Sequence, residues 1–158
     1  MFYRVKQFVK AITAKVSQEE IKWVKRYLSE AECSLFFKLR IYEQRHCLDV
    51  AYLLKEKTQE SQEMIRLGLL HDIGKMVYPL NPIEKSIMVI LDKASKGRMR
   101  KLKKFKMVKC YYEHAQIGYE LLKKQGHYEE AFLEIIKQHH SVGHTSKLRL
   151  LQEADNLC

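Results

Sequence analysis

The chain has 158 residues, 46% of them hydrophobic, with 29 Lys+Arg against 19 Asp+Glu and a formal net charge of +10. That length suits one domain burying roughly two-thirds of its unfolded surface. Its six Gly and two Pro fall well short of the roughly 12% those residues average together, which excludes collagen-like and low-complexity disordered chains and disfavours a turn-dense β-sandwich.

No segment has the length to span a membrane: the longest strictly apolar run is Ile87 to Leu91, against the roughly 20 residues a spanning helix needs. The opening MFYRVKQFVKAITAK is interrupted by Arg4, Lys6 and Lys10 and holds no apolar stretch of signal-peptide length. Cys33, Cys47, Cys110 and Cys158 are scattered without a CxxC pair, and they read as reduced thiols in a cytoplasmic protein.

The periodicity is helical almost throughout. Phe2, Val5, Val9, Ile12 and Val16 step by three and four residues on one helix face. With its basic flank this helix suits either an anionic membrane surface or core packing, and core packing is the expectation. Ser17 followed by Glu20 forms a capping box opening a helix over Glu19–Leu28. Leu35–Tyr42 reads as a short helix. His46, Val50, Leu53 and Leu54 line a helix that fades near Lys57, and Ser61–Leu70 is another, ending at a His71–Gly74 corner.

Pro79 and Pro82 mark a loop after that corner. A helix over Ile83–Lys93 follows, then a segment broken by Gly97. Glu113–Gln125 reads as a helix stopped by Gly126, Tyr128–His139 as the next, and a last helix starts at Ser146. No strand-like alternation persists. The expectation is an all-α, compact single-domain bundle of seven to nine helices over residues 1–158.

The excess charge has an address. Lys93, Lys96, Arg98, Arg100, Lys101, Lys103, Lys104, Lys106 and Lys109 fall within 17 residues that hold no acid, and the rest of the chain is almost neutral. Such a run either steers phosphate-bearing partners toward the protein or is a solvated basic connection.

The chemistry-bearing residues are histidines and acids. His71 and Asp72 are adjacent at a helix end, where a nitrogen and an oxygen can face one cation. His46, His114, His139, His140 and Asp155 recur at helix spacing around them. Imidazole with carboxylate suits Fe, Mn, Zn, Co or Ni, and the lack of paired Cys argues against a structural zinc knot. Taken singly, each has an ordinary alternative: a hydrogen-bonded helix cap for His71-Asp72, a satisfied core histidine for His46, a polar terminal-helix residue for Asp155. His127 and His144, beside Gly126 and Gly143, read as surface residues.

The string Leu69-Leu70-His71-Asp72-Ile73-Gly74-Lys75, with His46 before it and Asp155 after it, resembles the HD-domain family of metal-dependent phosphohydrolases. The likeness covers Glu43 to Asp155, making 43–155 the metal-binding core and 1–42 N-terminal packing helices. It extends to small stand-alone bacterial members, including dinucleoside tetraphosphate hydrolases. It departs from the cyclic-di-GMP phosphodiesterase branch, whose Gly-Tyr-Pro signature is here Ser141-Val142-Gly143. The resemblance implies one or two divalent transition-metal ions. His46, His71, Asp72 and Asp155 serve the first; a bridging Asp72, His114 and His139, with His140 as further ligand or substrate contact, serve the second. Ions of this kind draw charge from a phosphate and lower the pKa of water from about 15.7 toward 7.

Lys75, one turn past His71, is placed by the resemblance near the transferred phosphoryl group, where it stabilises developing charge; as a helix-terminal cation it also suits the macrodipole. Arg45 is a candidate phosphate contact. Lys101, Lys103 and Lys104 are candidates for recruiting a polyanionic substrate such as a nucleotide. The expected activity is hydrolysis of a phosphate ester or phosphoanhydride of a nucleotide or other small phosphorylated compound. Two other readings stand beside it: a regulatory HD module that binds metal without turnover, and a nucleic-acid-binding protein using residues 93–109.

Overall fold

Capping chemistry sets where the first helices begin. In the computed structural model, which describes residues 9 and 12–158, α1 runs Gln18–Tyr27 behind the Ser17–Glu20 capping box. A second capping box, Ser29–Glu32, opens α2 over Glu30–Phe36. The expected Leu35–Tyr42 helix is not formed. The chain turns at Phe37–Arg40, with Lys38 N–H donating to Leu35 O and Leu39 N–H to Phe36 O. Gln44 Nε2 donates to Leu39 O at 2.9 Å, closing the turn. Leu39 is buried in that turn, so the apolar spacing arises from two helices and the corner between them.

The central pair is α3 (Ile41–Lys57) and α4 (Gln62–Leu70). They pack closely because Gly68 lets the backbones meet: a Cβ at 68 would lie 2.7 Å from Ala51 Cα. A 3-10 turn over Ile73–Val77 follows α4. Helix α5 (Pro82–Ala94) starts on an Asn81–Glu84 capping box with Pro82 in its first turn. A second 3-10 turn spans Arg98–Leu102.

Helix α6 runs Lys106–Lys123, starting seven residues before the expected Glu113. Its first turns carry part of the basic run, yet Cys110, His114, Gly118 and Leu122 recur every four residues and are all buried. Periodic burial, not charge, decides the helix there. Helices α7 (Glu130–Gln138) and α8 (Ser146–Leu157, capped by Thr145) complete the chain. The described residues thus hold eight α-helices, two 3-10 turns and no strand, and the all-α expectation holds.

One core joins these elements, centred on Phe36, Leu48, Leu54, Ile65, Leu67, Leu70, Ile73, Leu122, Ile136, Leu148 and Leu151. Helix α6 packs on the 3-10 turn after α4 and on α7, while α8 packs against α3. Of the N-terminal apolar face, Phe2 and Val5 lie outside the described residues. Val9 and Ile12 are exposed, and Val16 packs against the core. Core packing therefore holds for Val16 and not for Val9 or Ile12. No helix among the described residues is long and apolar enough to cross a membrane.

One buried carboxylate fastens α2 to the rest. Glu32 accepts hydrogen bonds from Arg66 Nη2 at 2.6 Å, Tyr128 Oη at 2.6 Å and Ser29 N–H at 2.7 Å. Burial pushes its pKa up, but the bonds from Tyr128, Arg66 and Ser29 outweigh burial and hold it below the ordinary 4.5. A carboxylate depressed on folding contributes stability that is present above its unfolded pKa and lost as pH falls through the folded one. Glu32→Ala is expected to cost about 2–4 kcal/mol at neutral pH. Glu32→Gln is expected to shrink the loss of stability below pH 4.5. Urea unfolding of the three proteins across that range measures both.

Candidate metal centre

Five helices deliver the site. His46 sits on α3, three residues past buried Glu43. His71 is the C-cap of α4, Asp72 opens the 3-10 turn, His114 lies mid-α6, His139 caps α7 and Asp155 is on α8. The turn can reach α6 only because residue 74 has no side chain. A Cβ on Gly74 would lie 1.9 Å from His114 O and 2.7 Å from Gly118 N.

The imidazoles are aimed by backbone carbonyls. His71 Nδ1 bonds Gly68 O at 2.8 Å, His114 Nδ1 bonds Tyr111 O at 3.2 Å, and His139 Nδ1 bonds Ile136 O at 2.6 Å. Each carbonyl can only accept, so each Nδ1 carries a proton, and in the neutral ring Nε2 then turns a lone pair into the site. Orientation of this kind is how metal-ligating histidines are held.

Asp72 stands at the centre, almost wholly buried. Its Oδ2 lies 3.5 Å from His71 Nε2 and 3.8 Å from His46 Nε2. Its Oδ1 lies 3.3 Å from His114 Nε2 and 3.6 Å from His139 Nε2. Asp155 Oδ1 is 2.9 Å from His46 Nε2 and 3.6 Å from His71 Nε2, and His140 Nε2 is 2.8 Å from His114 Nε2. Two donor groups result, each with ligand atoms within 4.8 Å of one another: His46, His71 and Asp155 in one, and Asp72, His114, His139 and His140 in the other. All seven candidate ligands named from the sequence are therefore brought together.

Whether these residues suit a metal is decided by what they leave unsatisfied. His71 Nε2, Asp72 Oδ1 and His139 Nε2 are buried and have no hydrogen-bond partner, which is rare in native proteins and points to an ion. The charges agree. Burial raises the Asp72 pKa, but the Lys75 ammonium and the imidazoles of His71, His114 and His139, 3.3–3.6 Å from its oxygens, hold it well below the carboxylate range. Burial likewise opposes ionisation of Asp155, and His46 and His71 overcome it. Burial lowers the pKa of His139, and burial with the neighbouring His139 and His114 pushes His140 down to about 3. Burial lowers the His71 pKa, but Asp72 and Asp155 outweigh it and raise that pKa, so a divalent cation there competes with a proton, whereas the ionised carboxylates and the neutral His139 and His140 already have the forms that bind one. Cys47 also lies within reach of His71 and Asp72, but burial, Asp72 and Glu43 push its thiol well up, making it the poorer donor.

A cleft of about 370 Å³ opens beside the second group, walled by His114, His140, Lys75, Arg100 and Tyr42, Tyr78, Tyr111 and Tyr112. Lys75 Nζ is hydrogen-bonded to Asp72 and lies 3.3 Å from Glu43 Oε2, while Lys85 Nζ donates to Glu43 Oε1 at 2.8 Å. Burial opposes the Glu43 charge, yet Lys75 and Lys85 pull its pKa down to about 2. Burial alone would discharge Lys75; Asp72 and Glu43 instead raise its pKa.

Some candidates lie elsewhere. Arg45 does not line the cleft; its guanidinium is spent on Glu20 and on Asp49 Oδ1 at 2.8 Å. Lys101, Lys103 and Lys104 are exposed and absent from the cleft wall, and Lys103 donates to Glu113 at 2.6 Å. From the basic run it is Arg100 that reaches the cleft. Glu43 and Lys85 were not singled out from the sequence. The signal available was Glu43 one helical turn before His46, on the same face.

An HD-domain family model matches residues 44–158, well over half of the chain. No curated protein and no solved structure gives a significant match. The chain belongs to the HD-domain family of metal-dependent phosphohydrolases.

Gly74→Ala tests the geometry directly. With no room for a methyl group against His114 and Gly118, the variant is expected to lose about 3 kcal/mol or more and to retain less divalent metal. Thermal unfolding and elemental analysis of the purified protein provide the readouts.

Proposed function

We propose that this HD-domain protein hydrolyses a phosphate ester or phosphoanhydride of a nucleotide or other small phosphorylated compound, using two divalent transition-metal ions. His46, His71, Asp72 and Asp155 would hold one ion, and Asp72, His114, His139 and His140 the other. The observation that carries the reading is Asp72: its two oxygens face different imidazole groups, and one of them has no hydrogen-bond partner. When bound, the ions supply Lewis-acid stabilisation of phosphoryl oxygens and acidify water.

The chain's own side chains do the rest. Lys75 sits at the junction between the donor groups and the cleft, fully charged, where it meets a phosphoryl oxygen and stabilises the charge that grows on it. Glu43 is a positioning residue. Clamped between Lys75 and Lys85, it fixes the Lys75 ammonium in place. Arg100 over the Tyr112 ring offers the cleft a second cation beside an aromatic surface, which suits a phosphate joined to a flat base.

Phosphate release from a panel of nucleotides and simple esters, with Mn, Fe, Co, Ni or Zn supplied, is the test. Asp72→Ala is expected to abolish release, by about a thousandfold or more. Glu43→Gln is expected to lower kcat by about tenfold with KM and metal content nearly unchanged, and Glu43→Asp to restore part of it. Arg100→Ala is expected to raise KM and flatten its salt dependence, while Lys101→Gln with Lys104→Gln leaves KM within about twofold. Firm metal retention with no turnover on any phosphate ester would instead make this a regulatory module.

A further inference from the structure

Helix α5 is amphipathic the wrong way round for a helix packed on a core. Two of its polar side chains turn toward the cleft: Lys85 reaches Glu43, and Asp92 accepts a hydrogen bond from Tyr112 Oη. Its buried apolar residue is Met88. Outward, at helix spacing, stand Ile83, Ile87, Ile90 and Leu91, exposed by 62%, 47%, 64% and 43%. The chain leaving α5 continues the pattern, with Leu102 and Phe105 also exposed. Scattered apolar residues on a surface need no explanation, but a contiguous stripe of branched side chains on one helix face does.

The same stretch holds the protein's excess charge. Lys93, Lys96, Arg98, Lys101 and Lys104 are all exposed, and no acid lies between Lys93 and Lys109. An apolar helix face bordered by cations is the pattern of a helix lying in the plane of a membrane interface, where lipid tails take the apolar residues and anionic headgroups the cations. We propose that the outer face of α5, with the exposed Lys96, Arg98, Lys101 and Lys104 beside it, docks the protein onto an anionic lipid bilayer.

Two other occupants fit less well. A nucleic acid would answer the lysines and arginines and leave the isoleucine stripe in water. A second copy of the chain would cover the stripe but bring two acid-free basic runs together. A bilayer rich in anionic lipid meets both demands at once. The Lys85 and Asp92 face of α5 stays on the cleft, so docking by the opposite face leaves the cleft side chains where they are.

Flotation of the full-length protein with vesicles tests this without reference to turnover. Vesicles of phosphatidylcholine mixed with phosphatidylglycerol are expected to carry the protein up the gradient, and phosphatidylcholine alone is not. Raising salt is expected to weaken the association. Ile83→Ser with Ile90→Ser is expected to cut partitioning by roughly tenfold or more. Lys96→Gln with Arg98→Gln and Lys101→Gln is expected to cut it by about a hundredfold. Thermal melts show that each variant is folded, and the wild-type comparison of the two lipid mixtures decides the matter even if one is not.

Failure of wild type to float with either mixture, or equal flotation with both, overturns the proposal. So does loss in the charge variant alone with the serine pair behaving as wild type, the outcome for a purely electrostatic surface such as a nucleic-acid site. A concentration-dependent dimer that the serine pair dissolves, with no vesicle binding, assigns the face to self-association and overturns it as well.

Discussion

A nearly inaccessible carboxylate whose two oxygens face different histidines has to be compensated from inside the protein. Asp72 is that group, and most of the architecture follows from meeting its demand. Lys75 answers one oxygen directly. The imidazoles of His46 and His71 approach on the same side, and those of His114 and His139 on the other. Each comes from a different part of the chain, so α3, α4, α6 and α7 must all converge on one point. Asp155 draws in α8 through His46. The apolar core supplies the rigidity: Leu70 and Ile73, on either side of the His71-Asp72 pair, are fully buried.

Much of this was legible in the residues. The helix starts at Gln18 and Ser146 follow from Ser17 and Thr145 acting on their own backbones, a local effect that needs no tertiary context. The donor set was legible because imidazole and carboxylate carry their chemistry with them. Two helix boundaries were not, and for different reasons. Leu35–Tyr42 has helical spacing, but the Ser29–Glu32 box starts the helix early and Gln44 closes the corner from the next helix, a contact across the break. Lys106–Glu113 was hidden by its charge. Whether a lysine-rich stretch coils or winds depends on whether its Val108 and Cys110 find a neighbour, and here both are buried.

The cleft shows the same divide. Lys75 lies in the same short string as the His-Asp pair, so its nearness to the site is local. Arg45 adjoins His46 in sequence, yet consecutive helix residues point about 100° apart, and the guanidinium turns to Glu20 and Asp49. Glu43, a full turn away, shares the inward face and becomes the anion that holds two lysines. Adjacency along a helix misdirects where a spacing of three points correctly. The basic run divides likewise: Arg100 turns to the cleft while Lys101 stays in solvent, because a 3-10 turn distributes successive side chains around its axis.

Three buried polar atoms without partners, on His71, Asp72 and His139, set the energetic character of the fold. Each carries a desolvation cost of about 1–3 kcal/mol when left unpaired, against a total stability for such a domain of only about 5–15 kcal/mol. The unfolded chain leaves the same atoms in water and holds no assembled site. Any cation that satisfies them therefore binds the folded state preferentially, and its binding free energy is added to that of folding. A cation held by the cluster would in this sense tie the integrity of the fold to its own binding. Gly68 and Gly74 matter for the same reason: without a Cβ at either position the chain closes tightly around the cluster.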